Sequence, residues 1–201
     1  MFKFKKGTTT LGFKFQGGII IAVDSRSSMG ELNSSESVKK VIEINDYMLG
    51  TMAGGAADCL FWEQNLARVL KTYELDYKER MTISGASRLF ATWMYEQRNK
   101  GLSVGTMITG FDHKGGHLYY LDNDGNRLEG DKFSIGSGST YAYGVLDTNW
   151  RYDLTLDQAV ELGKRAISEA TYHDSASGGV VNVYHVYPGG WTKVVDQQDN
   201  S

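Results

Sequence analysis

The sequence predicts a layered α+β fold, with helices covering a pair of sheets. Strand-like and helix-like segments come in groups and do not alternate one for one, which argues against a parallel βαβ sheet. The apolar period changes from that of a strand to that of a helix after residue 55, and changes back near residue 104. Glycines often stand in pairs, as at Gly17-Gly18, Gly54-Gly55, Gly115-Gly116, Gly178-Gly179 and Gly189-Gly190, and paired glycines suit tight turns and close backbone approaches.

Thr9 to Phe15 alternates and is followed by Gly17-Gly18, after which Ile19 to Asp24 runs almost wholly apolar. This reads as a hairpin whose second strand is buried on both faces. Val41 to Ile44 and Tyr47 to Met52 repeat the pattern around the turn dipeptide Asn45-Asp46, so the first 55 residues are expected to form a four-strand antiparallel meander. Two helices follow, with apolar stripes at Trp62, Leu66, Val69, Leu70 and Tyr73, and at Ala86, Leu89, Phe90, Trp93 and Met94. Strands resume at Val104 to Phe111, His117 to Leu121 and near Phe133 to Ile135, with Asp124-Gly125 as a turn signal. A third helix begins near Thr155, where Thr-Leu-Asp-Gln forms a capping box, and its expected inner face is Leu156, Ala159, Val160, Gly163, Ile167 and Ala170. Val181 to Tyr187 and Trp191 to Val195 close the chain as strands around Pro188-Gly189-Gly190, ahead of a polar, frayed tail from Asp196.

A chain of 201 residues with 41% hydrophobic content can bury a real core and reads as one domain. Its 21 basic and 24 acidic residues give a formal net charge of -3 without blocks of like charge, so nucleic acid and membrane are not expected as partners. The single cysteine, Cys59, has no internal disulfide partner, which favours a reducing compartment such as cytoplasm or nucleus. Met1 to Gly7 is basic without an apolar core, and Ile19 to Val23 is too short to span a bilayer.

Several chemistries fail on spacing. Gly136-Ser-Gly-Ser follows a strand, but Tyr141 stands where a dinucleotide fingerprint needs its third glycine. Asp122-Asn-Asp-Gly resembles the opening of a calcium loop with its glycine displaced, and fits a hairpin turn better. His113, His117, His173 and His185 show neither metal-ligand spacing nor a serine partner, so no metal or cofactor is expected.

There remains Gly7-Thr-Thr-Thr-Leu11, by itself only a strand of threonines. It is accompanied by Val23-Asp24-Ser25-Arg26, Ser37-Val-Lys-Lys40-Val-Ile, Gly50-Thr-Met-Ala-Gly-Gly-Ala56, Gly136-Ser-Gly-Ser and Asp174-Ser-Ala-Ser177-Gly-Gly. In this order and at this spacing, across nearly the whole chain, the motifs resemble proteasome catalytic beta subunits. Within that family, Thr8-Thr-Thr-Leu, Gly50 to Cys59 and Tyr141-Ala-Tyr-Gly-Val-Leu-Asp147 look most like the chymotrypsin-like type.

The resemblance implies the four-layer αββα sandwich of N-terminal nucleophile hydrolases, with residues 1–7 as a short leader and 8–201 as the domain. It also implies a threonine endopeptidase that cleaves after hydrophobic residues and works in stacked heptameric rings, with other alpha and beta subunits as partners and unfolded polypeptides as substrates. The nucleophile would be Thr8, exposed by autocatalytic cleavage of the Gly7–Thr8 bond. The chemistry favours that cut, because a threonine hydroxyl is a weak nucleophile and the freed α-amine, with an ordinary pKa of about 7.7 to 8.0, can serve as its base. By the same resemblance Lys40 lies beside the hydroxyl, Asp24 holds Lys40, and Ser137, Asp174 and Ser177 surround the amine, with Arg26 in support. The Gly54 N–H fills the oxyanion hole, Val38, Met52 and Ala56 line the primary specificity pocket, and Ser27 and Ser28 pair with extended substrate. Two departures stand out. Ser27-Ser28-Met29-Gly30 replaces the expected Ala-Thr-Ala-Gly, and the leader is shorter than the propeptides of the chymotrypsin-like members. Two other functions compete: a non-catalytic ring subunit with the same fold, and a small-substrate amidase of the N-terminal nucleophile class.

Overall fold

A computed structural model describes residues 7–26, 39–175 and 177–194. Two antiparallel sheets form its centre. The first is ordered β11(Gly190–Val194)-β10(Asn182–Tyr187)-β2(Gly18–Val23)-β1(Thr9–Phe15)-β9(Lys132–Gly136). The second is ordered β3(Val41–Asn45)-β4(Met48–Thr51)-β6(Val104–Asp112)-β7(Gly115–Asp122)-β8(Arg127–Glu129), with the short β5(Ala53–Gly54) also paired to β6.

Strand β2 shows why the layers form. All six of its residues are buried. Since side chains alternate across a strand, Ile19, Ile21 and Val23 meet Leu49, Met107 and Leu118 of the facing sheet, while Ile20 and Ala22 meet helices on the other side. Those helices are α3(Ser139–Asn149) and α4(Leu156–His173), which supply Ala142, Leu146, Ala159, Leu162, Ala166, Ile167 and Ala170. The second sheet is covered by α1(Ala56–Tyr77) and α2(Ile83–Gln97) through Cys59, Leu66, Leu70, Ile83, Phe90 and Met94. The result is the expected four-layer αββα sandwich, with a core between the sheets and one under each helical layer.

Four expectations need correction. The first four strands are not one meander: β1–β2 and β3–β4 are hairpins in different sheets. A helix was not anticipated at α3, whose sequence STYAYGVLDTN mixes threonine, tyrosine and a glycine and buries only Ala142 and Leu146, too few for a stripe. Helix α4 does open with the capping box, in which the Thr155 side chain accepts from the Gln158 N–H and Gln158 accepts from the Thr155 N–H. Its first apolar residue, Leu156, nevertheless lies 42% exposed, and Leu162 and Ala166 join the inner face instead. The short strand β8 was also not anticipated, since three residues carry no readable period. Val195 and the polar tail lie outside the described residues.

Candidate active site

Several strand ends and the end of α4 meet at one edge of the sandwich. Thr10 pairs with Val23 across β1–β2, and Thr9 pairs with Gly136 across β1–β9. Asp24 therefore follows β2 beside Thr9, and Ser137 follows β9 beside Thr8. Gly136 has φ 108°, and a Cβ there would collide with the Thr8 carbonyl. Only glycine allows β9 so close to residue 8.

Asp24 is fully buried and completely engaged. Its Oδ1 accepts from the Lys40 ammonium at 2.5 Å and from the Thr9 N–H at 3.0 Å, while Oδ2 accepts from the Gly178 N–H at 3.0 Å. These contacts supply what a buried carboxylate requires. Lys40, 5% exposed at the head of β3, also donates to the Gly7 carbonyl at 3.4 Å. Burial lowers its pKa below that of an ordinary lysine, and the Asp24 hydrogen bond opposes but does not cancel that shift.

Thr8 is half-buried and still joined to Gly7, and its Oγ1 donates to the Gly7 carbonyl oxygen at 2.8 Å. Its amide nitrogen, unable to act as a base while conjugated with that carbonyl, donates to Ser137 Oγ at 3.4 Å. Ser137 in turn donates to Asp174 Oδ2 at 2.5 Å, and Ser177 donates to the same oxygen at 2.6 Å. Asp174 is held there as the C-cap of α4. Arg26 donates to the carbonyls of Ser175 and Ser177 at 3.0 and 3.2 Å, tying down the turn that carries Ser177.

The structure thus gathers Gly7, Thr8, Asp24, Lys40, Ser137, Asp174 and Ser177 into one hydrogen-bonded cluster. Gly54 and Met52 lie on the adjoining segment: the Met52 N–H donates to the Lys40 carbonyl at 2.8 Å. Gly105, opposite Ala53 in β6, packs towards Ile135, itself opposite Thr10. Gly54 is exposed with φ 93°, Met52 is buried, and Ala56 is exposed on the first turn of α1. Ser27, Ser28, Met29 and Val38 lie outside the described residues.

Thr9, Ser25 and Gly178 belong to the cluster and were not picked out from sequence. Thr9 Oγ1 lies 2.7 Å from Ser177 Oγ; with the Ser177 proton directed at Asp174, Thr9 is left as the donor. Ser25 receives the Val180 N–H on its hydroxyl and donates its own N–H to the Gly178 carbonyl. The hydroxyl partner of Thr9 lies 168 positions away, beyond any local signal.

An αββα sandwich of this kind is the fold of N-terminal nucleophile hydrolases, and here it sets Thr8 beside a buried Lys–Asp pair. Residues 4–186 match the proteasome subunit family model, and the chain belongs to that family. It is 60% identical over 194 residues to proteasome subunit beta type-5-A of Arabidopsis thaliana, covering 96% of this chain and 71% of the relative. It is 54% identical to proteasome subunit beta type-5 of Gallus gallus, covering 94% of this chain and 73% of the relative. With proteasome subunit beta type-8 of Homo sapiens it shares 55% identity over 94% of this chain and 68% of the relative.

Proposed function

We propose that this chain is the threonine endopeptidase subunit of a proteasome core particle, with chymotrypsin-like preference and Thr8 as nucleophile. The observation that carries the reading is the contact of Thr8 Oγ1 with the Gly7 carbonyl inside the Lys40, Asp24 and Ser137 cluster. High identity to beta type-5 subunits supports it over a non-catalytic ring subunit.

In the uncut chain the Thr8 hydroxyl adds to the Gly7 carbonyl carbon, its proton passes to the Thr8 nitrogen and the C–N bond breaks, leaving an ester and a free α-amine. Water then hydrolyses the ester, releasing Gly7 as a carboxylate and restoring the Thr8 hydroxyl. In the next reaction that amine takes the hydroxyl proton while Oγ1 attacks the scissile carbonyl of a bound polypeptide. Charge developing on the carbonyl oxygen is met by the Gly54 N–H. The amine then hands its proton to the leaving peptide amine, and water, activated by the same amine, releases the acyl product. Lys40 favours the alkoxide electrostatically, Asp24 fixes Lys40, and Ser137 with Asp174 and Ser177 orients the amine. Met52, Ala56 and Val38 shape the apolar pocket for the residue before the scissile bond, and Ser27 and Ser28 bond the extended substrate backbone.

On this reading residues 1–7 are a leader and 8–201 the working domain, which assembles with alpha and other beta subunits in stacked rings in cytoplasm and nucleus. Replacing Thr8 by Ala in the assembled particle tests the assignment. Hydrolysis of a fluorogenic peptide with a hydrophobic P1 residue is expected to vanish, and undiminished cleavage would place the nucleophile elsewhere.

A further inference from the structure

Helix α1 starts at the segment that carries Gly54, yet its N-cap, Gly55, has no side chain with which to cap it. The end is held differently. The Gly55 N–H donates to the Ser103 carbonyl at 2.8 Å, and the Ser103 N–H donates to Asp58 Oδ2 at 3.1 Å. Asp58 stands in the first turn of α1, so the two bonds close a ring from the helix start to the loop before β6 and back. Ser103 also abuts Gly54: its carbonyl oxygen and its Oγ both lie 2.9 Å from the position a Cβ on Gly54 would take. The next residue, Val104, pairs with Gly54 and is itself clamped, donating to Asn123 Oδ1 at 3.2 Å and accepting from the Asn123 N–H at 3.0 Å.

Gly54, at φ 93°, has no side chain to restrain it. Its orientation is set by what it leans on. We propose that Asp58, acting through the backbone of Ser103, is a positioning residue that aims the Gly54 N–H for peptide hydrolysis at Thr8. This rests on the reading of Gly54 as oxyanion donor. Such a donor must be held to within about 0.5 Å, and a displacement of about 1 Å can cost on the order of 100-fold in rate. An anionic acceptor matters twice here, since it bonds Ser103 strongly and complements the positive end of α1.

The test uses assembled particles whose subunit is supplied with Thr8 already exposed, so that leader removal is not a variable. Variants Asp58→Ala, Asp58→Ser and Asp58→Asn are compared with the unaltered chain. Serine keeps a short polar side chain that cannot reach Ser103, whereas asparagine keeps an acceptor oxygen at the right place. Each particle is assayed for kcat and KM on a peptide with a hydrophobic P1 residue. Each is also assayed for affinity towards a peptide boronate and the matching unreactive peptide amide. The boronate bonds Thr8 Oγ1 while the α-amine takes the hydroxyl proton, giving a tetrahedral anion that resembles the transition state.

We expect Asp58→Ala and Asp58→Ser to lower kcat and the boronate-over-amide preference by about tenfold, with KM and amide affinity within about twofold, and Asp58→Asn to restore most of both. An unchanged preference in Asp58→Ala or Asp58→Ser overturns the inference, as does equal loss of boronate and amide binding or failure of both variants to assemble. If the unaltered particle shows no preference for the boronate, it is the Thr8 and Gly54 reading that fails.

Discussion

Asp24 joins three parts of the chain, accepting from Lys40, Thr9 and Gly178, and its geometry decides what a substitution at Lys40 does. Lys40→Ala would leave a buried carboxylate without its cation, a change that costs about 3–5 kcal/mol. We expect a large fall in thermal stability as well as loss of peptidase activity, read by calorimetry and by peptide hydrolysis. Glu63 presents the opposite case. It is fully buried on α1, its Oε1 accepts from Thr106 at 2.9 Å, and its Oε2 finds no partner among the described residues. Burial raises its pKa well above 4.5. The folded protein therefore binds a proton that the unfolded chain releases above about pH 4.5, so Glu63 costs stability increasingly as pH rises through that window. Glu63→Gln, which cannot ionise, should gain in melting temperature over the parent as pH is raised from about 5 to 8; a constant difference would mean Glu63 is charged in the fold. Neither residue's environment is legible locally, since the neighbours of Asp24 are up to 154 positions away. Its role came from motif resemblance, and Glu63, an acid on a helix with many polar neighbours, gave no sign of being buried.

At the scale of elements, the strongly periodic segments were readable and the weak ones were not. Strands β1 and β2, the stripe of α2 and the capping box of α4 lie close to where alternation, period and cap chemistry put them, whereas α1 buries Leu66 and Leu70 as expected but adds Cys59 and Glu63 in place of Val69 and Tyr73. Helix α3 escaped because its two buried residues, Ala142 and Leu146, make no stripe and much of its order comes from packing on α4. The grouping of β1–β4 into one meander failed because hairpin signals identify neighbours within a hairpin and say nothing of which sheet receives it. Thr155→Ala should remove the cap of α4 at about 1 kcal/mol, lowering the melting temperature by roughly 2–4 °C. Peptidase kcat should be kept, because Asp174 sits at the far end of that helix. Gly136→Ala should do the reverse: its Cβ meets the Thr8 carbonyl, so activity should fall steeply, measured as hydrolysis by assembled particles at matched concentration.

For the whole molecule, two packed sheets and a helix end bring together a site that no single element contains. Thr8 comes from the start of β1, Lys40 from the head of β3 in the other sheet, and Asp174 from the end of a helix. The chemistry turns on one bond within that assembly. With Gly7 attached, Thr8 has a hydroxyl set against a carbonyl and an amide that cannot serve as a base. Once the bond is cut, the same nitrogen becomes the base beside Ser137. The intact mass of the subunit taken from its assembled particle tests this most directly. A chain that begins at Thr8 is expected, and one that retains Met1 to Gly7 in an active particle would show that Thr8 works without a free α-amine.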